Sequence, residues 1–212
     1  MNKKEFYLKN MFDGYTDNMP DWLKREEKKE LQSIQELVDR YSPKGKIRIL
    51  DVGCGSCRVF KEISFPCNNK RTKMATDIFS NKELPKKFKK FLKERQIKYQ
   101  QLFNGLVAKE WGKFDVITCM GVDPLLDNNE AFSLWVSCIR NLKKEGILIW
   151  HINRDDTLKG KLLKWKDREL HYFYREDFMY SPYLDKKETK VSKIYLYRGF
   201  EFKEDLYDPN VQ

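Results

Sequence analysis

The chain has 212 residues, with 42 Lys and Arg against 32 Asp and Glu, for a formal net charge of +10. A hydrophobic fraction of 41% and an aromatic fraction of 14% can fill a core, which excludes global disorder. No apolar run approaches the ~18–20 residues that span a bilayer, and Met1–Phe6 lacks the apolar stretch of a signal peptide, so a cytoplasmic protein without membrane partners is expected.

At this length one domain over 1–212 is expected. Residues 1–20 are irregular and dotted with aromatics (Phe6, Tyr7, Phe12, Tyr15) up to Pro20. Asp21 is a suitable N-cap for a helix over 22–41, with Trp22, Leu23, Leu31, Ile34, Leu37, Val38 and Tyr41 as its apolar stripe. Ser42-Pro43-Lys44-Gly45 ends it. Ile47–Val52 then reads as a buried strand. The turn Gly53-Cys54-Gly55-Ser56-Cys57 follows, and a helical stretch over Arg58–Ile63.

Further on, Thr72–Ile78 reads as a second strand, Lys82–Arg95 as a Lys-rich amphipathic helix, Ile97–Phe103 as a third strand and Phe114–Met120 as a fourth. A helix over 129–142 buries Phe132, Trp135, Val136, Ile139 and Leu142, and Gly146 precedes a fifth strand, Ile147–Ile152. Beyond 152 the pattern loosens. Leu170–Tyr174 and Ile194–Tyr207 have the composition of antiparallel edge strands, while 182–198 also fits a helix. Alternating strands and helices predict an α/β fold with a doubly wound, mostly parallel sheet of seven strands and an antiparallel C-terminal edge.

The chemistry concentrates in Ile49-Leu50-Asp51-Val52-Gly53-Cys54-Gly55. A strand that ends in Gly-x-Gly and enters a helix lets backbone approach a ligand, at the sheet edge where ligands bind. Asp77, at the end of the next strand, follows Gly55 at a spacing suited to a carboxylate that holds a ribose diol. Five cysteines, an odd number, fit a reducing compartment. Cys54 and Cys57 form a C-x-x-C near Cys67, but with His151 and His171 as the only histidines a fourth ligand is not close at hand, and no metal site is expected.

With these motifs in place, the sequence resembles the class I S-adenosylmethionine-dependent methyltransferases over about residues 45–152. Ile49–Gly55 is similar to that family's first motif, Met74-Ala75-Thr76-Asp77-Ile78 to its second, Phe114-Asp115-Val116-Ile117 to its fourth, and Leu142–Leu148 to the segment before strand five. The resemblance implies the Rossmann-like methyltransferase fold, with 1–42 as a helical arm or lid, 45–152 as the cofactor core and 153–212 as sheet edge and substrate side. It implies S-adenosyl-L-methionine as cofactor and S-adenosyl-L-homocysteine as product. In that frame Asp51 faces the methionine amino group, and Gly53, Cys54 and Gly55 contact the amino-acid portion. Asp77 binds the ribose, Ile78 flanks the adenine, the adenine amino group meets either the Asn104 side-chain oxygen or the backbone, and Cys119, Met120 and Gly121 line the sulfonium side. Cys57 stands where the family usually has a third glycine, and Phe103-Asn104 where it usually has an acid. Arg58 departs from the Gly-x-Gly-x-x-Gly of dinucleotide-binding dehydrogenases.

Methyl transfer needs alignment and a deprotonated nucleophile. His151, at the end of strand five, is placed to act as a base or to bond backbone. Asp123 is placed to orient a substrate amine or to form a turn with Pro124, and Tyr15 to close a lid. Asp123-Pro124-Leu125-Leu126 lacks the second proline and the aromatic of the adenine and glutamine N-methyltransferases. The expected activity is methylation of N or O on a small-molecule acceptor by a monomer or homodimer. One alternative is an RNA methyltransferase using Lys86–Lys93 and the basic residues of 159–168. The other is a catalytically silent, cofactor-binding partner subunit. Lysines make up 31 of the 42 basic residues, and a solvated helix face explains their densest run as well as RNA does.

Overall fold

The computed structural model describes residues 21–66, 71–102, 104–122, 126, 128–153, 184–190 and 192–199. Tyr15, Cys67, Asp123, the segment 159–168 and Leu170–Tyr174 lie outside them. Helix α1 covers Asp21–Tyr41, followed by β1 (Ile47–Val52), α2 (Arg58–Glu62), β2 (Arg71–Asp77), α3 (Lys86–Glu94) and β3 (Ile97–Gln101). A 3-10 turn at Lys109–Trp111 leads to β4 (Phe114–Met120), α4 (Asn128–Arg140), β5 (Leu142–Asn153), β6 (Asp185–Glu188) and β7 (Ser192–Arg198). Among the described residues no helix is long and apolar enough to cross a membrane.

The seven strands form one sheet in the order β3-β2-β1-β4-β5-β7-β6. Pairs among β1 to β5 are parallel, and β7 runs antiparallel to both β5 and β6. This is the doubly wound sheet with an antiparallel edge that the alternation of elements predicts. Chain direction across the sheet reverses between β1 and β4, the switch point where α/β folds open a crevice.

Period-two alternation sorts the strands onto two cores. Ile47 and Ile49, Ala75, Val116, Ile147 and Ile149, and Ile194 and Leu196 face α1, α2 and α3. Leu50 and Val52, Met74, Ile117, Leu148 and Trp150, and Tyr195 and Tyr197 face α4 and the segment around Val107 and Trp111. That alternation in Ser192–Arg198 also explains why the region is a hairpin and not the helix that 182–198 allowed. Isoleucine and leucine go to one side, two tyrosines to the other, and Thr189 N–H bonds the Ser192 carbonyl at 2.9 Å to close the turn.

The main departures from the sequence expectation lie at the α4–β5 junction and in α3. Helix α4 ends at Arg140, and β5 begins at Leu142, five residues before Ile147. Leu142 pairs with Phe114 and Ile147 with Val116, so β5 carries extra residues across a bulge. Gly146 sits inside it because a Cβ there would lie 2.9 Å from the Asp115 carbonyl oxygen. Helix α3 is shorter than Lys82–Arg95 at both ends and packs through Phe88 and Leu92.

Asp115, from the fourth motif, lies at the start of β4, away from the ligand edge. Its Oδ2 accepts the Arg48 backbone N–H at 2.8 Å, and both oxygens lie 2.9 Å from Lys143 Nζ. One carboxylate thus ties β1, β4 and the β5 bulge together. Asp115→Ala leaves the Arg48 N–H without its partner, and urea melts should show a loss of about 1–3 kcal/mol. Ligand affinity at the opposite edge of the sheet should be unchanged.

Candidate functional site

The C-terminal ends of the central strands carry a row of polar side chains on the α1 side of the sheet. In register, Asp51 lies between Ala75 of β2 and Thr118 of β4, and Met120 lies beside His151 of β5. Alternation from Ala75 puts Asp77 on the same face.

Asp51 is 1% exposed. Its Oδ1 accepts the Thr118 hydroxyl at 2.9 Å, while its Oδ2 has no hydrogen-bond partner among the described residues. Burial pushes its carboxyl up to about 7; the Thr118 bond pulls the other way, and the nearby Asp77 charge pushes it further up. A buried carboxylate with an unused oxygen calls for a cation or a donor from a ligand.

The glycine turn is held by its neighbours. Cys54 N–H bonds the Thr76 carbonyl at 2.9 Å, and Gly55 N–H bonds Asp77 Oδ2 at 2.9 Å. Asp77 Oδ1 accepts the Ile78 N–H at 2.8 Å. Burial raises the Asp77 carboxyl, and these two N–H groups oppose the rise. Asp77 therefore shapes the turn before it meets any ligand, and each oxygen keeps a lone pair. Gly53 has φ +62, and a Cβ on it would fall 2.1 Å from Val122 Cγ2, so its lack of a side chain brings the segment after β4 against the turn. Cys57 is left-handed at φ 57 and fully buried, which explains why a glycine suits that position.

The other candidates divide by exposure. Ile78 is 41% exposed, a large apolar side chain left open at the ligand edge beside Asp77. Asn104 is exposed and left-handed at φ 50. Cys54 is buried and its thiol faces the Gly55 carbonyl at 3.7 Å. The Cys119 side chain is buried in the α4-side core, whereas Met120 packs on the α1 side. His151 is buried, with Nδ1 accepting the Gly121 N–H at 3.2 Å and Nε2 3.3 Å from Glu30 Oε1. Sequence reasoning missed Thr118, Val122 and Glu30. Glu30 had a signal, since Glu27 and Glu30 continue the stripe of Ile34, Leu37 and Tyr41 at spacings of three and four.

No protein-family model matches the chain, and no curated protein matches it. Solved structures do match. A protein from Pyrococcus horikoshii OT3 superposes with a TM-score of 0.61 at 17% identity, over 94% of this chain and 100% of that one. The magnesium protoporphyrin IX methyltransferase of Synechocystis PCC 6803, solved with bound SAH, gives 0.59 at 15% identity, over 92% and 94%. The precorrin-6y C5,15-methyltransferase of Geobacter metallireducens GS-15 gives 0.51 at 13% identity, over 81% and 88%. The fold is therefore the Rossmann-like fold of the class I S-adenosylmethionine-dependent methyltransferases, as the motifs of residues 45–152 imply.

The Thr118 hydroxyl holds the Asp51 carboxyl down more than the Arg58 charge does. Thr118→Val keeps the shape and removes the hydroxyl, so the Asp51 titration midpoint, followed by carbon NMR of the side-chain carboxyl, should move above its value of about 7. An unchanged midpoint would show that the hydroxyl does not reach the carboxylate.

Proposed function

We propose that this chain is an S-adenosylmethionine-dependent methyltransferase that moves a methyl group to N or O of a small-molecule acceptor. The observation that carries the reading is the buried Asp51 carboxylate, with Oδ2 lacking a partner among the described residues, beside a Gly-x-Gly turn at the switch point. The residues present fit the cofactor. Asp51 suits its ammonium, the turn 53–55 suits its carboxylate and backbone, Asp77 retains lone pairs for a ribose diol, and exposed Ile78 offers an apolar surface to a base.

When bound, the cofactor supplies an electrophilic methyl group on a sulfonium. The chain's own part is alignment. Strand ends β2, β1 and β4 fix the two carboxylates in one row, and the segment Met120–Val122 closes against Gly53. Tyr15 as a lid residue and Asp123 as an orienting carboxylate remain part of this proposal on the sequence pattern alone.

A small acceptor is favoured over RNA by the position of the basic helix. Lysines 86, 87, 89, 90 and 93 of α3 are exposed, but α3 packs beside β3, at the opposite end of the parallel strands from β5. Turnover of an RNA that collapses as salt rises would reverse this preference. A purified chain that converts no acceptor yet binds cofactor would instead favour the silent-partner reading.

Calorimetry with S-adenosylmethionine tests the cofactor directly. The wild type should bind, Asp77→Ala should weaken binding about tenfold or more, roughly 1.4 kcal/mol, and absence of wild-type binding sinks the proposal. The pH dependence has a defined sign. Because the Asp51 carboxyl is raised from 3.8 to about 7, its ionisation is disfavoured in the folded protein, and its relative contribution to stability falls as pH climbs through that window. A ligand ammonium beside Asp51 reverses the penalty, so affinity for S-adenosylhomocysteine should rise about tenfold in wild type relative to Asp51→Asn between about pH 6 and about pH 8. A constant ratio would exclude Asp51 as the partner of the ammonium.

A further inference from the structure

The polar row does not stop at the two aspartates. His151 is 2% exposed and sits at the end of β5, in register with Met120. Its Nδ1 lies 3.2 Å from the Gly121 backbone nitrogen, which can only donate. Nδ1 therefore carries no proton, and the neutral ring holds its hydrogen on Nε2. That nitrogen lies 3.3 Å from Glu30 Oε1, a side chain with 0% exposure. Glu30 Oε2 is 3.7 Å from Arg58 Nη2, and Arg58 Nη1 is 2.9 Å from Glu27 Oε2.

The chain Glu27–Arg58–Glu30–His151–Gly121 joins four pieces of the fold. Glu27 and Glu30 come from α1, Arg58 is the first residue of α2 directly after the glycine turn, His151 lies near the end of β5, and Gly121 follows β4. Gly121 has φ +65, a left-handed conformation, and its N–H is held by the imidazole in that state. A base must offer an unprotonated nitrogen to the proton it removes. In His151 the unprotonated nitrogen is occupied by backbone, and the other is buried 3.3 Å from the Glu30 carboxylate.

We infer that His151, together with Glu30, is a positioning residue that fixes the backbone at Gly121 on the substrate side of the site, and not the group that deprotonates the acceptor. The inference deepens the methyltransferase reading and rests on it for the meaning of "substrate side". The hydrogen-bond assignment itself does not depend on that reading. With His151 committed to backbone, the acceptor atom reaches its reactive form by another route: as a free amine, or through a group other than this imidazole.

Long-range proton–nitrogen NMR correlation on the wild-type full chain, at mildly alkaline pH, reads the tautomer without any ligand. The expected pattern is a proton on Nε2 with Nδ1 bare. A proton on Nδ1 overturns the inference. Variants then separate positioning from simple packing. In His151→Asn the amide oxygen stands where Nδ1 does, whereas His151→Gln places its amide nearer Nε2. Binding of S-adenosylhomocysteine, by calorimetry, should fall about tenfold in His151→Gln and stay within about threefold of wild type in His151→Asn. Equal losses in both overturn the positioning role. If wild type binds no S-adenosylhomocysteine, the cofactor reading fails, while the tautomer still decides the hydrogen-bond assignment.

Discussion

Asp51 sets the electrostatic terms of this molecule. It stands on β1 at the point where strand order reverses, almost fully buried, with Thr118 on one oxygen and no hydrogen-bond partner among the described residues on the other. A carboxyl in that position resists ionisation, which is why its pKa lies near 7. Replacing it with an apolar residue of similar size would remove a desolvation penalty. The fold bears that penalty at the point where strand order reverses, where α/β folds commonly break local rules of stability for function.

Around this group the turn geometry follows from steric necessity. Gly53 is left-handed and in contact range of Val122, so the turn and the segment after β4 close on each other without a side chain between them. Asp77 then satisfies the Gly55 N–H, which fixes the turn relative to β2. The two carboxylates thus have different tasks. Asp77 is largely spoken for by backbone donors and shapes the loop, while Asp51 keeps an oxygen available.

The sheet and its site were legible in the sequence to different depths. Strands such as Ile47–Val52 and Phe114–Met120 are written in β-branched and apolar runs that admit one reading, and both match the structure residue for residue. The β5 start was not legible, because Leu142-Lys143-Lys144-Glu145 carries no alternation and joins the sheet only through a bulge that depends on the Asp115 carbonyl. Asp51, Gly53, Gly55 and Asp77 stand out by residue type at fixed spacing. Thr118 does not, since a threonine in a strand is common and its role appears only when register puts it beside Asp51. Glu30 was masked by the apolar residues on its stripe, where a buried acid becomes plain only once Arg58 and His151 are seen against it.

The net charge of +10 contrasts with the acids gathered at the ends of β1 and β2. Asp51 and Asp77 stand at the strand ends on the α1 side, while Glu27 and Glu30 of α1 lie against Arg58, with Glu30 also beside His151. The exposed lysines of α3 lie beside β3, at the outer end of the sheet. A buried carboxyl with an unused oxygen favours a ligand with a positive centre where contact is made, whatever the sign of the surface charge. Close contact with a buried group outweighs a screened surface potential, because charges beyond about a Debye length of ~8–10 Å contribute little at ordinary ionic strength. The local acids, not the global excess of lysine, therefore decide what this edge of the sheet can hold.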